Sequence, residues 1–281
     1  MAREGKNDIF KNDRTSAQQQ QHQQNRSISW EVPVEAVPVP SRGSVYPPDS
    51  PLHGKELIEI KAMTAKEEDI LTSRALIKQG TVITHLIASC LVNKDISVQK
   101  MLIGDRNALM VSVRITGYGS DYSAKSTCPS CNKESTQKFD LTNLGIKRLQ
   151  IEPSKQWQNC FDYRLPVSGR LVQFRFLTGE DEEEISTVNE RKKQLMPDML
   201  LENNVTTRLE RSILSVDGVT DRNEISLFVR SMPALDSRKL RKYMDDNEPG
   251  IDMTTEMKCP HCSTSSEISL PMGASFFWPR D

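Results

Sequence analysis

The chain has 281 residues, of which 36% are hydrophobic, and its 37 basic and 38 acidic residues leave a net charge of -1. This length allows one large domain or two modest ones. The near balance of charge excludes a general electrostatic attraction to nucleic acid or to an anionic membrane. The most apolar stretch, residues 82–92, is too short to span a bilayer. The N-terminus lacks the apolar region of a secretory signal, so we expect synthesis and folding in the cytoplasm.

The first 55 residues differ in composition from the rest of the chain. They contain a glutamine-rich run at residues 18–24 and a proline-rich run from Pro33 to Pro51. Such segments bury too little apolar surface to offset the chain entropy that folding removes. We therefore predict a disordered tail over residues 1–55 and an ordered domain over residues 56–281. The proline run would act as an extended spacer or as a docking peptide for a partner.

Three helices are predicted at the start of the ordered domain. Thr64-Ala65-Lys66-Glu67 matches a capping box and predicts a helix that ends at Gly80. Apolar residues between Val82 and Cys90 recur at helical spacing and predict a second helix. A third helix is expected to begin at Asp105, with this residue as its N-terminal cap.

Two cysteine pairs carry the strongest chemical signal. Cys128-Pro129-Ser130-Cys131 and Cys259-Pro260-His261-Cys262 share the form Cys-Pro-x-Cys, and short polar segments suited to β-hairpins flank each of them. Four thiolates complete the tetrahedral set of a structural metal ion and leave no position open for a catalytic water. We therefore predict a metal site formed by Cys128, Cys131, Cys259 and Cys262. It would lie in a zinc ribbon built from residues 121–141 and 251–271.

The identity of the metal and the role of the other thiols are less constrained. Zinc is favoured because it is redox-inert and common in structural sites, and iron is the second choice. A redox dithiol fits less well, because neither pair opens an apolar helix after a buried strand. Cys90 and Cys160 are interpreted as buried thiols. His261 is expected beside the metal site as an exposed residue rather than as a ligand.

The segment between the cysteine pairs is predicted to form an inserted lobe over residues 160–246. Phe161–Leu165 and Leu171–Leu177 flank a Pro-Val-Ser-Gly turn and predict a hairpin. Helical patterns follow, the first of them opened by Thr178. The predicted fold class is therefore α+β, a mostly helical body that carries a four-cysteine zinc-ribbon hairpin pair and an inserted helical lobe.

No catalytic motif is recognisable, so we predict that the protein is not an enzyme. The sequence lacks Gly-x-Ser-x-Gly, a phosphate-binding glycine loop and His-Glu-x-x-His. The acidic run Glu180–Glu184 is interpreted as complementing a helix dipole rather than binding a cation. Lys125, Lys133 and Lys138 lie near the first cysteine pair and leave a nucleic-acid-binding zinc-ribbon factor as the alternative function. The absence of net positive charge and of a stacking aromatic stripe argues against that alternative.

The C-terminal end of the sequence is unusually aromatic. Phe276, Phe277 and Trp278 precede Pro279 near the last residue, Asp281. They could close the domain's own core, or they could bind in a partner's groove as aromatic hot spots do. We therefore regard these three residues as candidate partner-binding residues.

Several motifs occur together in a particular order along the chain. They are Glu67-Glu68-Asp69-Ile70-Leu71, Ile103-Gly104-Asp105-Arg106, Val113-Arg114-Ile115-Thr116-Gly117-Tyr118-Gly119, the first Cys-Pro-x-Cys, Ser215-Val216-Asp217-Gly218, Pro233-Ala234-Leu235-Asp236-Ser237-Arg238, the second Cys-Pro-x-Cys and Phe276-Phe277-Trp278-Pro279. This ordered set resembles the T4-type baseplate proteins of contractile-tailed bacteriophages, a group that includes baseplate hub subunits and hub assembly proteins. The resemblance covers about residues 56–281, and the glutamine- and proline-rich N-terminus departs from it.

The resemblance implies a non-enzymatic structural or chaperone-like assembly protein of the tail baseplate hub. Its expected partners are other phage tail and hub proteins, without nucleic acid, membrane or small-molecule substrate. Its expected location is the host cytoplasm during assembly and the baseplate of the virion tail.

Overall fold

The structure, a computed structural model, describes residues 32–195, 204–270, 272 and 274–277, and Val34–Asp281 form one compact unit. The helices are α1 (Ala65–Thr72), α2 (Arg74–Gln79), α3 (Val82–Cys90), α4 (Ile103–Tyr118), α5 (Gly179–Leu195), α6 (Asn204–Ser212), α7 (Arg222–Ser231) and α8 (Ala234–Asn247). The strands are β1 (Val34–Pro38), β2 (Leu57–Lys61), β3 (Asp121–Thr127), β4 (Glu134–Asp140), β5 (Ile146–Lys147), β6 (Phe161–Arg164), β7 (Leu171–Phe174), β8 (Ile213–Val216), β9 (Gly250–Ile251), β10 (Thr254–Lys258) and β11 (Ser265–Ser269). This mixture of helices and strands confirms the α+β class.

The prediction of a disordered tail up to residue 55 is wrong for residues 34–55. β1 pairs antiparallel with β2, and the connection between them buries apolar side chains that include Val39, Val45 and Leu52. The proline-rich composition concealed these apolar residues, which are too few to be visible as a pattern. We call residues 34–55 the N-terminal arm. The glutamine-rich run lies outside the described residues.

The predicted start of the first helix is confirmed, but its length is not. The Thr64 backbone N–H donates to the Glu67 carboxylate at 3.0 Å, as a capping box requires. The helix then breaks at Ser73, so that α1 and α2 replace the single helix that was predicted. Gly80 ends α2 with φ 71, in the left-handed region that glycine adopts without strain. The predicted second helix corresponds to α3.

Helix α4 lies at the centre of the fold, and its predicted cap is wrong. Asp105 lies inside the first turn and is 1% exposed, while Leu102 occupies the cap position. The Asp105 carboxylate accepts hydrogen bonds from the N-terminal arm instead of capping helix N–H groups. Gly104 allows α4 to approach β9 closely, since a Cβ at this position would lie 1.6 Å from the Pro249 carbonyl oxygen.

The two cysteine pairs lie in the loops of two antiparallel hairpins. β3 pairs with β4 around the first cysteine pair, and β10 pairs with β11 around the second. The short β5–β9 pairing joins the segment that follows the first hairpin to the segment that precedes the second, with Ile146 opposite Ile251. This pairing brings the bases of the two hairpins together, although they are far apart in the sequence.

In the part that the structure describes, the segment over residues 160–246 combines a three-stranded sheet with four helices. The predicted hairpin corresponds to β6 and β7, and β8 extends it to the order β6-β7-β8. Phe161, Val172 and Phe174 from this sheet are buried in the same hydrophobic cluster as residues of the N-terminal arm and α4. The segment thus shares one core with the rest of the unit.

Candidate metal centre

The two cysteine loops have the same backbone conformation. In the first, the N–H of Asn132 donates to the Cys128 carbonyl oxygen at 2.9 Å, and in the second the N–H of Ser263 donates to the Cys259 carbonyl oxygen at 2.9 Å. Asn132 and Ser263 have φ values of 55 and 58, so each loop closes through a left-handed residue that is not glycine. Each loop therefore presents its two sulfur atoms in the same arrangement.

The four predicted ligands converge on one point. The Sγ atoms of Cys128, Cys131, Cys259 and Cys262 all lie within 4.8 Å of one another. Two contacts join the hairpins, with Cys128 Sγ 3.7 Å from Cys262 Sγ and Cys131 Sγ 3.7 Å from Cys259 Sγ. Each hairpin thus supplies two of the four sulfur atoms.

These distances fit a tetrahedral metal ion. A metal–sulfur bond of about 2.3 Å places the sulfur atoms of a regular tetrahedron about 3.8 Å apart. The separations of 3.7 Å between the hairpins agree with this value. They exceed the length of a disulfide bond, about 2.05 Å, and the six cysteines are free thiols. The donor set and its spacing therefore fit a metal ion.

The surroundings of the thiols shift their proton affinities in opposite directions. Hydrogen bonds with Thr264 lower the pKa of Cys262 to about 6. The Lys133 backbone lowers the pKa of Cys131, but desolvation and the three neighbouring thiols outweigh it and raise that pKa to about 11. Four thiolates at this separation repel one another, so full deprotonation needs a cation between them.

The site is closed on one side and open on the other. Cys128 and Cys259 are buried together with Met257 in a small cluster of their own, whereas Cys262 is exposed. The hairpins also contact each other through the Gln137 side-chain amide, which donates to the Lys258 carbonyl oxygen at 3.1 Å. Because few apolar side chains join the hairpins, a metal ion would contribute much of the energy that holds them together.

The other residues singled out in the sequence do not join this site. His261 is exposed on the loop, and its backbone N–H lies 3.4 Å from Cys259 Sγ. Cys90 and Cys160 are buried elsewhere, as expected. The acidic run lies in the first turns of α5, where the Asp181 carboxylate accepts hydrogen bonds from Arg175 and from the Thr178 backbone. Asp181 therefore caps a helix and forms an ion pair.

A family comparison covers most of the chain and includes both cysteine pairs. The model of the family described as T4 bacteriophage base plate protein matches residues 48–278. The chain belongs to this family of baseplate proteins. Comparisons with curated proteins and with solved structures found no significant match. Among the described residues of this baseplate protein, no helix combines the length and apolar character needed to cross a membrane.

Two of the three candidate partner-binding aromatics of the baseplate protein lie inside its own core. Phe276 and Phe277 are each 0% exposed, and the ring of Phe276 packs 5.0 Å from the ring of Tyr122. Of the two alternatives for these residues, Phe276 and Phe277 take the first in this structure, in which they close the domain's own core. Trp278 lies outside the described residues.

Sequence reasoning missed the roles of two buried charged residues of α4, which hold the two ends of the described unit. Asp105 accepts hydrogen bonds from the Ser41 hydroxyl at 2.6 Å and the Tyr46 hydroxyl at 2.7 Å. Arg114 donates to the carbonyl oxygens of Phe276, Gly119 and Asp121. A charged residue within an apolar helical pattern was the available signal, since such residues are rarely buried without partners.

Proposed function

We propose that Cys128, Cys131, Cys259 and Cys262 bind one zinc ion as a structural zinc ribbon. The convergence of four sulfur atoms from two matching hairpins supports this proposal. Zinc is preferred to iron because a closed four-thiolate site needs neither redox activity nor an open coordination position. The ion would hold the two hairpins together, where buried apolar contacts are few.

The protein would act as a non-enzymatic structural or chaperone-like assembly subunit of the baseplate hub in a contractile phage tail. The family match over residues 48–278 is the observation that carries this proposal. The metal site supports it, because four thiolates fill a tetrahedral shell and favour a structural role over catalysis. Its partners would be other tail and hub proteins, and it would occupy the host cytoplasm during assembly and the virion baseplate afterwards.

Deletion of the gene, followed by electron microscopy of the tails and mass spectrometry of purified particles, tests this function. We expect the loss of complete baseplates, restored when the intact gene is supplied from a plasmid. Detection of the chain in particles indicates a subunit, whereas its presence only in unassembled intermediates indicates an assembly factor. Normal tails in the absence of the gene would contradict both roles.

A cysteine variant tests whether tail assembly needs the metal site, separately from whether it needs the chain. Supplying the gene with Cys262→Ser tests whether assembly needs the zinc ribbon, and Cys160→Ser serves as the matched control outside the cluster. We expect fewer complete tails with the first variant and normal tails with the second. Normal tails with Cys262→Ser, together with demonstrated loss of metal, would show that assembly does not depend on the ribbon.

A further inference from the structure

A second surface feature lies where four separate segments of the chain meet. It is a pocket of about 270 Å³, below the range of about 300–1,000 Å³ usual for small-molecule sites. The N-terminal arm, the segment before α4, the loop before β6 and the start of α5 form its walls. The lining includes Tyr46, Lys100, Leu102, Trp157, Asn159 and Thr178. Its size suits a single side chain rather than a large cofactor.

Most polar groups of the pocket wall already have partners within the fold. The Tyr46 hydroxyl donates to Asp105 and accepts from the Leu102 backbone N–H at 2.9 Å. The Asn159 amide exchanges two hydrogen bonds with the Phe176 backbone, and the Thr178 hydroxyl donates to Asp181 at 2.8 Å. The wall therefore offers mainly apolar surface to an occupant.

Lys100 is the cationic residue of the lining, and it has no ion pair within the part of the chain that the structure describes. Its side chain is exposed at the pocket. An apolar pocket with one unpaired ammonium group is complementary to an apolar side chain that lies next to a carboxylate. A neutral or cationic occupant would leave Lys100 without a partner.

Trp157 gives the pocket a fixed aromatic wall. Its φ is 59, a conformation that residues other than glycine rarely adopt. Its ring lies 4.2 Å from the His53 ring, and the His53 Nδ1 lies 2.9 Å from the Tyr46 carbonyl oxygen. The surrounding contacts thus hold the indole ring in place beside Lys100. A strained conformation at a pocket is a recognised feature of ligand-contact sites.

We propose that this pocket is a docking site for a partner protein segment in which an aromatic or large aliphatic side chain lies next to a carboxylate. The apolar side chain would pack against Trp157 and Leu102, and the carboxylate would pair with Lys100. This inference rests on the proposed assembly role for the identity of the partner. The complementarity of the pocket itself is independent of that role and of the metal site.

Nuclear magnetic resonance titration of the full-length, zinc-loaded protein tests the pocket directly. The probes are N-acetylphenylalanine, which carries a carboxylate, and N-acetylphenylalaninamide, which is its neutral analogue. The readout is the indole N–H resonance of Trp157, assigned by its loss in Trp157→Phe. We expect saturable shifts with the acid and an affinity about fivefold weaker for the amide, the contribution of an exposed ion pair.

Two variants identify the groups responsible for binding. Lys100→Ala should bind the acid as weakly as the amide, whereas Lys66→Ala, which changes an exposed lysine on α1, should bind as the unmodified protein does. Equal affinity of the unmodified protein for acid and amide, no saturable shift with either probe, or an unchanged preference in Lys100→Ala would overturn the proposal. None of these results bears on whether the chain enters the phage tail, which the deletion experiment decides separately.

Discussion

At the scale of single residues, the metal ligands and the buried polar groups of α4 differ in how visible they are in the sequence. The cysteines occur in pairs with fixed spacing, so their local geometry restricts their chemistry before any fold is known. The role of Asp105 is recognisable only from its hydrogen bonds with Ser41 and Tyr46, which are distant in the sequence. Single-residue roles that depend on distant partners therefore could not be predicted.

Replacing one exposed ligand should affect metal binding and stability together. We expect Cys262→Ser to lose the bound metal and to lower the melting temperature by about 5–10 °C, since a domain of this size loses about 2–4 °C per kcal/mol. Metal analysis and calorimetry on the same sample provide the measurement. Cys160→Ser should keep the metal. Loss of metal with an unchanged melting temperature would show that the site is not structural.

Removing one hydroxyl should weaken the attachment of the N-terminal arm. Tyr46→Phe leaves the buried Asp105 carboxylate and the Leu102 N–H each with one hydrogen bond fewer, so we expect a loss of about 1–3 kcal/mol in the free energy of unfolding. Urea denaturation measures this loss of stability. Tyr163→Phe is the matched control, because no hydrogen bond to the Tyr163 hydroxyl occurs among the described residues. Equal stability of both variants would rule out this contribution.

At the scale of secondary-structure elements, local sequence patterns predicted where most helices and hairpins begin. They predicted few of the contacts between elements that are distant in the sequence. The capping box at Thr64 and the hairpins around the cysteines follow from neighbouring residues and were predicted. The N-terminal arm was missed, because its pairing with β2 and its contacts with α4 come from residues that are distant in the sequence. The position of α4 against β9 was also not predictable, since it depends on the absence of a side chain at Gly104.

The close approach of α4 to β9 makes a strong prediction about Gly104. A Cβ there would overlap the Pro249 carbonyl oxygen, which belongs to the backbone and cannot rotate away. We expect Gly104→Ala to lower the free energy of unfolding by about 3 kcal/mol or more. Gly145→Ala places its Cβ 3.8 Å from the nearest atom and should change stability by less than about 0.5 kcal/mol. Chemical denaturation of both variants checks the difference, and a Gly104→Ala variant as stable as the unmodified protein would contradict this close approach.

Glu248, at the C-terminal end of α8, should make the stability of the protein depend on pH. Burial raises the pKa of Glu248 from 4.5 to about 7, against the opposing effect of Arg208, with Asp245 adding to the increase. The stabilising contribution of protonated Glu248 is complete below its unfolded pKa and is lost as the pH rises through about 7. We expect Glu248→Gln to be more stable than the unmodified protein at pH 8 but not at pH 4.5, as measured by urea denaturation. The same difference at both pH values would exclude this titration.

At the scale of the whole molecule, one helix and one metal site connect segments that lie far apart in the chain. Asp105 holds the N-terminal arm and Arg114 holds the backbone at Phe276, so both ends of the described unit attach to α4. The four cysteines connect the two hairpins across the intervening segment. The convergence of the cysteines was predictable from their spacing, whereas the attachment of the ends was not, because the motifs that contain Asp105 and Arg114 do not indicate their distant hydrogen-bond partners.

X-ray absorption spectroscopy at the zinc edge, combined with metal quantification on the native, reduced protein, is the most direct test of the central claim. One zinc ion per chain, surrounded by four sulfur atoms at about 2.3 Å, is the result we predict. A spectrum dominated by nitrogen or oxygen ligands, or native protein without a stoichiometric metal ion, would contradict a shared site formed by the two hairpins.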